Sequence, residues 1–172
     1  KALLFEILYP QGFNAAQRNE IFRALTGQPG KQFIINTGVR VLKDRDILIV
    51  QNHSLSDGNT PPFKLQMERV PYSSSFVISR SKDTACFDAG KLTFPLTTRK
   101  WKHGDSFVPF GMTNKKLISN YLTDRKFSLI DKENQWVLCS GNDIAWLIGE
   151  RTDNRFRIDE NTTEVLIVRI LD

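Results

Sequence analysis

The chain has 172 residues, of which 40% are hydrophobic and 25% charged, and its formal net charge is +5. This composition is typical of a globular protein of one or two domains and argues against a disordered chain. The sequence contains no apolar run near the length of a membrane-spanning helix and no visible signal peptide, so we expect a cytoplasmic protein without membrane contact.

The first residues predict the end of a helix, over 2–9, that Pro10 stops. Because the chain begins at Lys1 in an apolar run, we expect an excised fragment; processing of a longer precursor is the alternative. Asn14 is a good N-cap for a second helix over 15–26. A small β meander follows, with turns at Thr37-Gly38 and Asp44-Arg45. Residues 1–52 are therefore predicted to form a helical connector plus a β meander.

Residues 53–62 are polar and end in two prolines, which predicts a linker. The remaining residues, 63–172, are predicted to form a β-rich C-terminal domain with an antiparallel or mixed, sandwich-like sheet and one or two short helices. Gly141-Asn142 indicates a two-residue hairpin. The overall class is therefore α+β. The predicted strands lie in F-K-L-Q-M-E-R-V from Phe63, S-F-V-I-S from Ser75, T-A-C-F-D from Thr84, L-T-F-P-L-T-T-R-K-W from Leu92, W-V-L-C-S from Trp136, D-I-A-W-L-I-G from Asp143 and T-E-V-L-I-V-R-I from Thr163.

One short helix is predicted within this β pattern, with Asn114 as its cap and residues 115–124 as its body. Helical spacing puts Leu117, Ile118, Tyr121 and Leu122 on one apolar side. Two lysines would then lie in the first turn, where cations oppose the helix dipole. This small cost favours an approaching anion as the reason for their position.

The whole net charge is carried by residues 99–126, here called the basic stretch, which holds seven Lys or Arg against two acids, while the rest of the chain is neutral. Such a concentration with interleaved aromatic residues is typical of a polyanion-binding surface. A solvated face beside a core is the alternative. Gly104 and Gly111 are predicted to allow turns with positive φ.

The sequence shows no arrangement of residues for catalysis. Cys86 and Cys139 lie in predicted strands, far in sequence from both histidines, and are predicted to be free buried thiols. His53 and His103 have no Cys or His at metal-ligand spacing, so no metal site is predicted. No Walker loop, G-x-G-x-x-G or G-x-S-x-G motif is present, which weakens the hypothesis of a complete small hydrolase.

Two motifs together resemble the C-terminal domain of bacterial tRNA(Ile)-lysidine synthetases. The first is W-x-x-G-D-x-F-x-P-x-G-M, from Trp101 to Met112, followed by a basic pair; the second is G-x-R-x-D-x-R-F, from Gly149 to Phe156. The N-terminal fifty residues, with G-F-N-A-A-Q and R-V-L-K-D-R-D-I-L-I-V, are similar to that family's connector. Ser106 and Asn120 depart from the family pattern, where Arg and Asp are frequent.

The resemblance implies an ATP-dependent ligase, with Mg²⁺, that adenylates the wobble cytidine of an isoleucine tRNA and joins free lysine to it. That activity belongs to an N-terminal domain with an S-G-G-x-D-S loop, which this chain lacks. The fragment is thus expected to need no cofactor and to bind tRNA on the acceptor-stem side, next to its own N-terminal catalytic domain. The residues expected to contact tRNA are Arg99, Lys102, Lys115, Lys116, Arg151 and Arg155.

Several alternatives stay open at this point. The basic stretch is also suited to docking a partner domain, in which case the chain is a structural module. Trp101, Phe107 and Phe110 either stack on bases or, as we favour, pack the loop onto the sheet. Asp105 is expected to cap a turn or pair with an arginine, and Asp153 to position a guanidinium. Formation of a homodimer is left open.

Overall fold

The computed structural model describes residues 1–52, 58 and 60–171. It divides into two compact units, Lys1–Asp57 and Gly58–Asp172. Most of the predicted linker, including His53, lies outside the described residues, so the linker stays a prediction. The predicted α+β class is confirmed, since the chain combines short helices with antiparallel sheets. The described helices are at most ten residues long, too short to span a bilayer.

In the first unit, helix α1 covers Ala2–Leu8 and helix α2 covers Ala15–Ala24. Asn14 is the N-cap of α2, as predicted. Its side chain accepts a 2.9 Å hydrogen bond from the Gln17 N–H, and the Gln17 side chain accepts one of 3.0 Å from the Asn14 N–H. This reciprocal capping box satisfies two otherwise unpaired donors and fixes the start of the helix.

The predicted meander of the first unit is confirmed. Strands β1 (Gln32–Ile34), β2 (Val39–Asp44) and β3 (Ile47–Asn52) form one antiparallel sheet in that order. The turn between β2 and β3 holds Arg45, with φ of 48°, and lies one residue later than predicted. The core of this unit contains Leu8, Phe13, Ile21, Ala24, Phe33, Val39 and Val41.

The described residues of the second unit form three sheets, two short α-helices and two 3-10 turns. One sheet has the order β4-β12-β5, another β11-β10-β9-β6, and β7 pairs with β8; the pairs are antiparallel. Their bounds are β4 Lys64–Pro71, β5 Thr84–Asp88, β6 Leu96–Lys100, β7 Ser106–Phe107, β8 Lys116–Leu117, α3 Ile118–Asp124, α4 Leu129–Glu133, β9 Trp136–Ser140, β10 Asp143–Leu147, β11 Arg151–Thr152 and β12 Glu164–Leu171.

Strand β9 is buried along its whole length because both of its faces are covered. Trp136 and Leu138 face a core that also contains Phe87 of β5 and Leu166 of β12. Val137 and Cys139 belong to a second core with β7 and α3. A strand covered on both faces has no polar alternation, which explains the continuous W-V-L-C run. The Gly141-Asn142 hairpin between β9 and β10 is confirmed.

Three predicted elements differ in the structure, and one of them is the strand predicted from Leu92, which begins at Leu96 as β6. Residues 75–79 form no strand. Helix α3 begins at Ile118 rather than at residue 115, because the two preceding residues pair with β7 as strand β8. Ile118, Tyr121 and Leu122 are buried as predicted, whereas Leu117 is exposed.

Candidate nucleic-acid interface

The start of the basic stretch is held by an ion pair between Arg99 and Asp105. The two guanidinium nitrogens donate to the two carboxylate oxygens at 2.7 and 3.0 Å, and the Lys102 N–H donates to the same carboxylate at 2.7 Å. Both parts of the prediction for Asp105 are confirmed, since it caps a turn and pairs with an arginine. Burial would raise the pKa of the Asp105 carboxyl, but these hydrogen bonds hold it below its usual value.

We expect this ion pair to make the free energy of unfolding depend on pH in the acidic range. The pKa of Asp105 is depressed in the folded state, so its stabilisation is fully present above the unfolded value of about 3.9 and is lost as the pH falls through the folded pKa. Urea unfolding between pH 7 and pH 3 should therefore show a steeper loss of stability in the wild type than in Asp105→Asn. Parallel curves for the two proteins would contradict this role.

A two-stranded ribbon, β7 with β8, places the lysine pair of the basic stretch. Lys116 pairs in register with Phe107, and its ammonium lies 2.7 Å from Asp124. The Ile118 N–H donates to the Asp105 carbonyl, so α3 begins only after the ribbon. The prediction that Lys115 and Lys116 occupy a first helical turn was wrong, and the argument from the helix dipole no longer applies to them.

The second motif is built around the fully buried Asp153. One of its oxygens accepts from the Val108 N–H at 2.8 Å and from Arg155 Nη2 at 2.8 Å; the other accepts from Arg155 Nε at 3.0 Å and from the Arg155 N–H at 2.8 Å. These contacts raise the pKa of Arg155, and Asp143 adds to the effect. Asp153 thus positions a guanidinium, as predicted, and also joins the two motifs.

Backbone contacts also connect the two motifs. Pro109 forms an isolated bridge with Asp153, and the Phe110 N–H donates to the Thr152 carbonyl at 2.9 Å. Gly111, with φ of 86°, donates its N–H to the Asn154 side chain. The positive φ of Gly104 and Gly111 is confirmed. One end of the segment 106–111 therefore belongs to the β7–β8 ribbon. The other end lies beside strand β11 and the residues that follow it.

The six predicted tRNA contacts fall into two classes in the structure. Arg99, Lys116 and Arg155 each form an ion pair within the second unit. Among the described residues, the side chains of the other three have no ion pair or hydrogen-bond partner, and all three are exposed: Lys102, Lys115 and Arg151. Arg99 and Arg155 hold their own loops through these ion pairs, whereas the exposed half is the better suited to an external anion.

The three aromatic residues left open by the sequence are in different environments. Phe107 is fully buried, with its ring 5.2 Å from that of Tyr121 in an edge-to-face arrangement. Trp101 is half-buried and donates its indole N–H to the Lys132 carbonyl. Phe110 is 47% exposed. Packing is thus confirmed for Phe107 and favoured for Trp101, whereas the Phe110 ring is accessible.

Sequence reasoning missed a group of charged residues around Glu150, which brings Arg125 of the basic stretch together with residues outside it. Glu150, whose side chain is only 8% exposed, receives Lys82 Nζ at 2.6 Å and Arg125 Nε at 3.3 Å. Arg80 and Arg157 border the same region. No signal in the sequence groups these residues, because they lie in loops far apart along the chain and only the folded sheets bring them together.

The described residues offer neither an activated thiol nor a metal cluster. Cys86 and Cys139 are free, as predicted, but only Cys139 is buried, whereas Cys86 is partly buried; burial raises the pKa of both thiols, which disfavours the nucleophilic thiolate. Among residues 1–52, 58 and 60–171, no group of three His, Cys, Asp or Glu is arranged to hold a metal ion.

Comparison with known proteins places the chain in a family. Residues 1–53 match the family described as TilS substrate binding domain. The chain is 56% identical over 171 residues to the tRNA(Ile)-lysidine synthase of Bacteroides thetaiotaomicron, which covers 99% of this chain and 40% of the relative. It is 44% identical over 182 residues to the same enzyme of Parabacteroides distasonis, again over 99% of this chain and 41% of the relative.

The fold agrees with one solved structure. A crystal structure of a TilS C-terminal domain aligns with a TM-score of 0.51 and 11% identity, over 81% of this chain and 88% of that domain. This similarity supports the fold alone. The chain spans about two fifths of the length of the curated relatives it matches. It belongs to the tRNA(Ile)-lysidine synthase family and corresponds to a C-terminal part of its members.

Proposed function

We propose that this chain is the tRNA-binding part of a cytoplasmic tRNA(Ile)-lysidine synthase. The reaction of the whole enzyme, ATP- and Mg²⁺-dependent conversion of the wobble cytidine of isoleucine tRNA to lysidine, is then carried out by a domain outside this sequence. The supporting observation is the exposure of Lys102, Lys115 and Arg151 around one rigid segment. These side chains suit the phosphates of a folded RNA, which is recognised largely by shape and backbone.

The proposal gives the predicted residues different roles, since some hold their loops and others contact the tRNA. Arg99 and Arg155 hold their loops through Asp105 and Asp153, so the exposed cations meet the acceptor-stem side of the tRNA from fixed positions. A loop whose backbone is already ordered loses less conformational entropy on binding than a mobile loop does. Lys116, paired with the exposed Asp124, can exchange that partner for a phosphate at small cost, because exposed ion pairs contribute little.

The first unit is proposed to take part in substrate binding as well. The family that its residues match is described by that role. Its Arg18 lies over the rings of Phe5 and Tyr9, with centroid distances of 5.2 and 5.1 Å, and Tyr9 is exposed. A cation held on an exposed aromatic surface is suited to contact with nucleic acid.

The proposal is tested by titrating tRNA at several salt concentrations. If about four phosphates are neutralised, log K against log salt slopes about −3 to −4. The triple variant Lys102→Ala, Lys115→Ala, Arg151→Ala should reduce the slope by about 2 to 3 and weaken binding about 100-fold at 0.1 M salt, since each phosphate contact carries roughly a fivefold factor.

A matched control separates local contacts from general charge. Lys64→Ala removes an exposed lysine on β4, outside the basic stretch, and should leave the slope within experimental error of the wild type. Absent or salt-independent tRNA binding would refute the proposal. That result would favour the alternative, in which the basic stretch docks a partner domain.

A further inference from the structure

The second unit contains a cleft of about 840 Å³, and Arg151 is the one predicted tRNA contact among its lining residues. Its lining includes the segment 76–82, which sequence patterning had predicted in part as a strand. Residues 150–152 and 157–158 and the side chain of Phe110 also line the cleft. The volume is in the range of pockets that enclose small ligands, about 300–1,000 Å³.

The cleft is strongly cationic. Its lining includes Arg80, Lys82, Arg151 and Arg157 but only one carboxylate, that of Glu150. Lys82 and Arg125 already compensate this carboxylate. Among the described residues, the Arg80 and Arg151 guanidinium groups have no hydrogen-bond or ion-pair partner. The charge of the cleft is therefore complementary to an anionic ligand.

The same cleft also exposes apolar surface. Val77 is 84% exposed, and Ile78 and Phe110 are each about half exposed. Hydrogen bonds from the Phe110 and Gly111 N–H groups hold the loop in place. Within the described part of the chain, no other aromatic ring stacks on Phe110. A fixed and accessible aromatic ring among cations is the arrangement that single-stranded nucleic acids use, with bases on the ring and phosphates on the cations.

We propose that this cleft binds a short unpaired segment of the RNA, with one base on Phe110 and its flanking phosphates at Arg80, Arg151 and Arg157. This inference deepens the proposed function and rests on it. A duplex keeps its bases stacked inside, so only unpaired nucleotides present a base to the ring. The cleft thus adds recognition of a strand end or loop to the contacts with the duplex exterior.

The test compares two RNA hairpins that differ in one feature. One has a blunt end, and the other carries a four-nucleotide single-stranded 3′ extension on the same duplex. Fluorescence anisotropy with the full chain should show that the extension improves affinity about tenfold or more, as expected from one stacked base. Phe110→Ala should reduce this advantage to less than about threefold while most of the affinity for the blunt hairpin remains.

Two variants serve as controls. Met112→Ala removes a side chain that is similarly exposed on the same loop but outside the cleft lining, and it should keep the full advantage. Phe110→Trp should also keep it, because a larger ring still stacks. Urea unfolding of each variant shows whether the fold is intact.

The outcomes separate this inference from the proposed function. A blunt hairpin that binds as tightly as the extended one overturns the cleft proposal alone, and an acidic peptide then becomes the better candidate ligand. Equal losses on both hairpins in Phe110→Ala also overturn it. If neither hairpin nor tRNA binds to the wild type, both proposals fail.

Discussion

Replacing Asp153 with alanine is expected to lower the free energy of unfolding by about 3 kcal/mol. The carboxylate is fully buried and accepts four hydrogen bonds, from the Val108 N–H and from three groups of Arg155. Alanine leaves the buried Val108 N–H without its partner and the Arg155 side chain with only part of its compensation. Leaving buried donors and charge unpaired is far more costly than losing a surface contact.

The measurement is equilibrium unfolding in urea, with Asp143→Ala as the matched control. Asp143 pairs with the same guanidinium at 2.8 Å, but its side chain is 51% exposed. Its removal should therefore cost less than about 1 kcal/mol. Similar losses in the two variants would show that burial of Asp153 does not set its contribution, and would remove the basis for treating it as the joint of the two motifs.

The second large effect is expected for Phe107→Ala, which should cost about 3–5 kcal/mol. The ring is fully buried against α3 and β9, and it makes an edge-to-face contact with Tyr121. Truncation loses the transfer free energy of the ring and leaves a cavity that its well-packed neighbours fill only in part. We expect a clear fall in the urea midpoint at unchanged slope.

Phe110→Ala is the matched control for Phe107→Ala. The two residues lie three apart in the segment 106–111, but Phe110 is half exposed, so its truncation should change stability by no more than about 0.5 kcal/mol. Once both variants are confirmed to be folded, we expect Phe110→Ala to weaken the binding of single-stranded RNA more than Phe107→Ala does. Equal destabilisation by the two substitutions would argue that Phe110 is a packing residue and not an accessible platform.

Much of the β structure follows from local pattern because burial and turn chemistry agree there. The run W-V-L-C-S and the following D-I-A-W-L flank a glycine turn, and they form β9 and β10 as predicted. The Asn14 cap of α2 was likewise readable, since the side chain and the backbone it caps are three residues apart. These features depend on neighbours in sequence, which is why sequence alone identified them.

The errors show that local pattern is overridden by contacts with distant residues. Asn114 and the apolar spacing after it favour a helix from residue 115, but residues 116–117 pair with Ser106–Phe107 as a strand instead. Residues 75–79 have strand-like side chains, yet they form no strand, and residues 76–79 line a cleft beside Ala85 and Cys86 of β5. Strand propensity reflects available packing partners rather than an intrinsic backbone preference.

The candidate site likewise contains some contacts that the sequence predicted and others that it did not. The pairing of Arg99 with Asp105 and of Arg155 with Asp153 spans a few residues, and both carboxylates were expected to hold a turn or a guanidinium. The contribution of Arg80, Lys82 and Arg157 to the cleft depends on segments separated by about seventy residues. No periodicity or motif links such positions, so only the assembled sheets reveal that they border one space.

The ion pairs of Arg99, Lys116 and Arg155 have a consequence for the kinetics of association. A pair of opposite charges cancels at close range but leaves the total charge of the unit unchanged. An approaching polyanion, many ångströms away, responds to that total, so the encounter rate at low ionic strength is governed by the whole excess of positive charge. Residence time, by contrast, is governed by the few cations that can meet a phosphate directly.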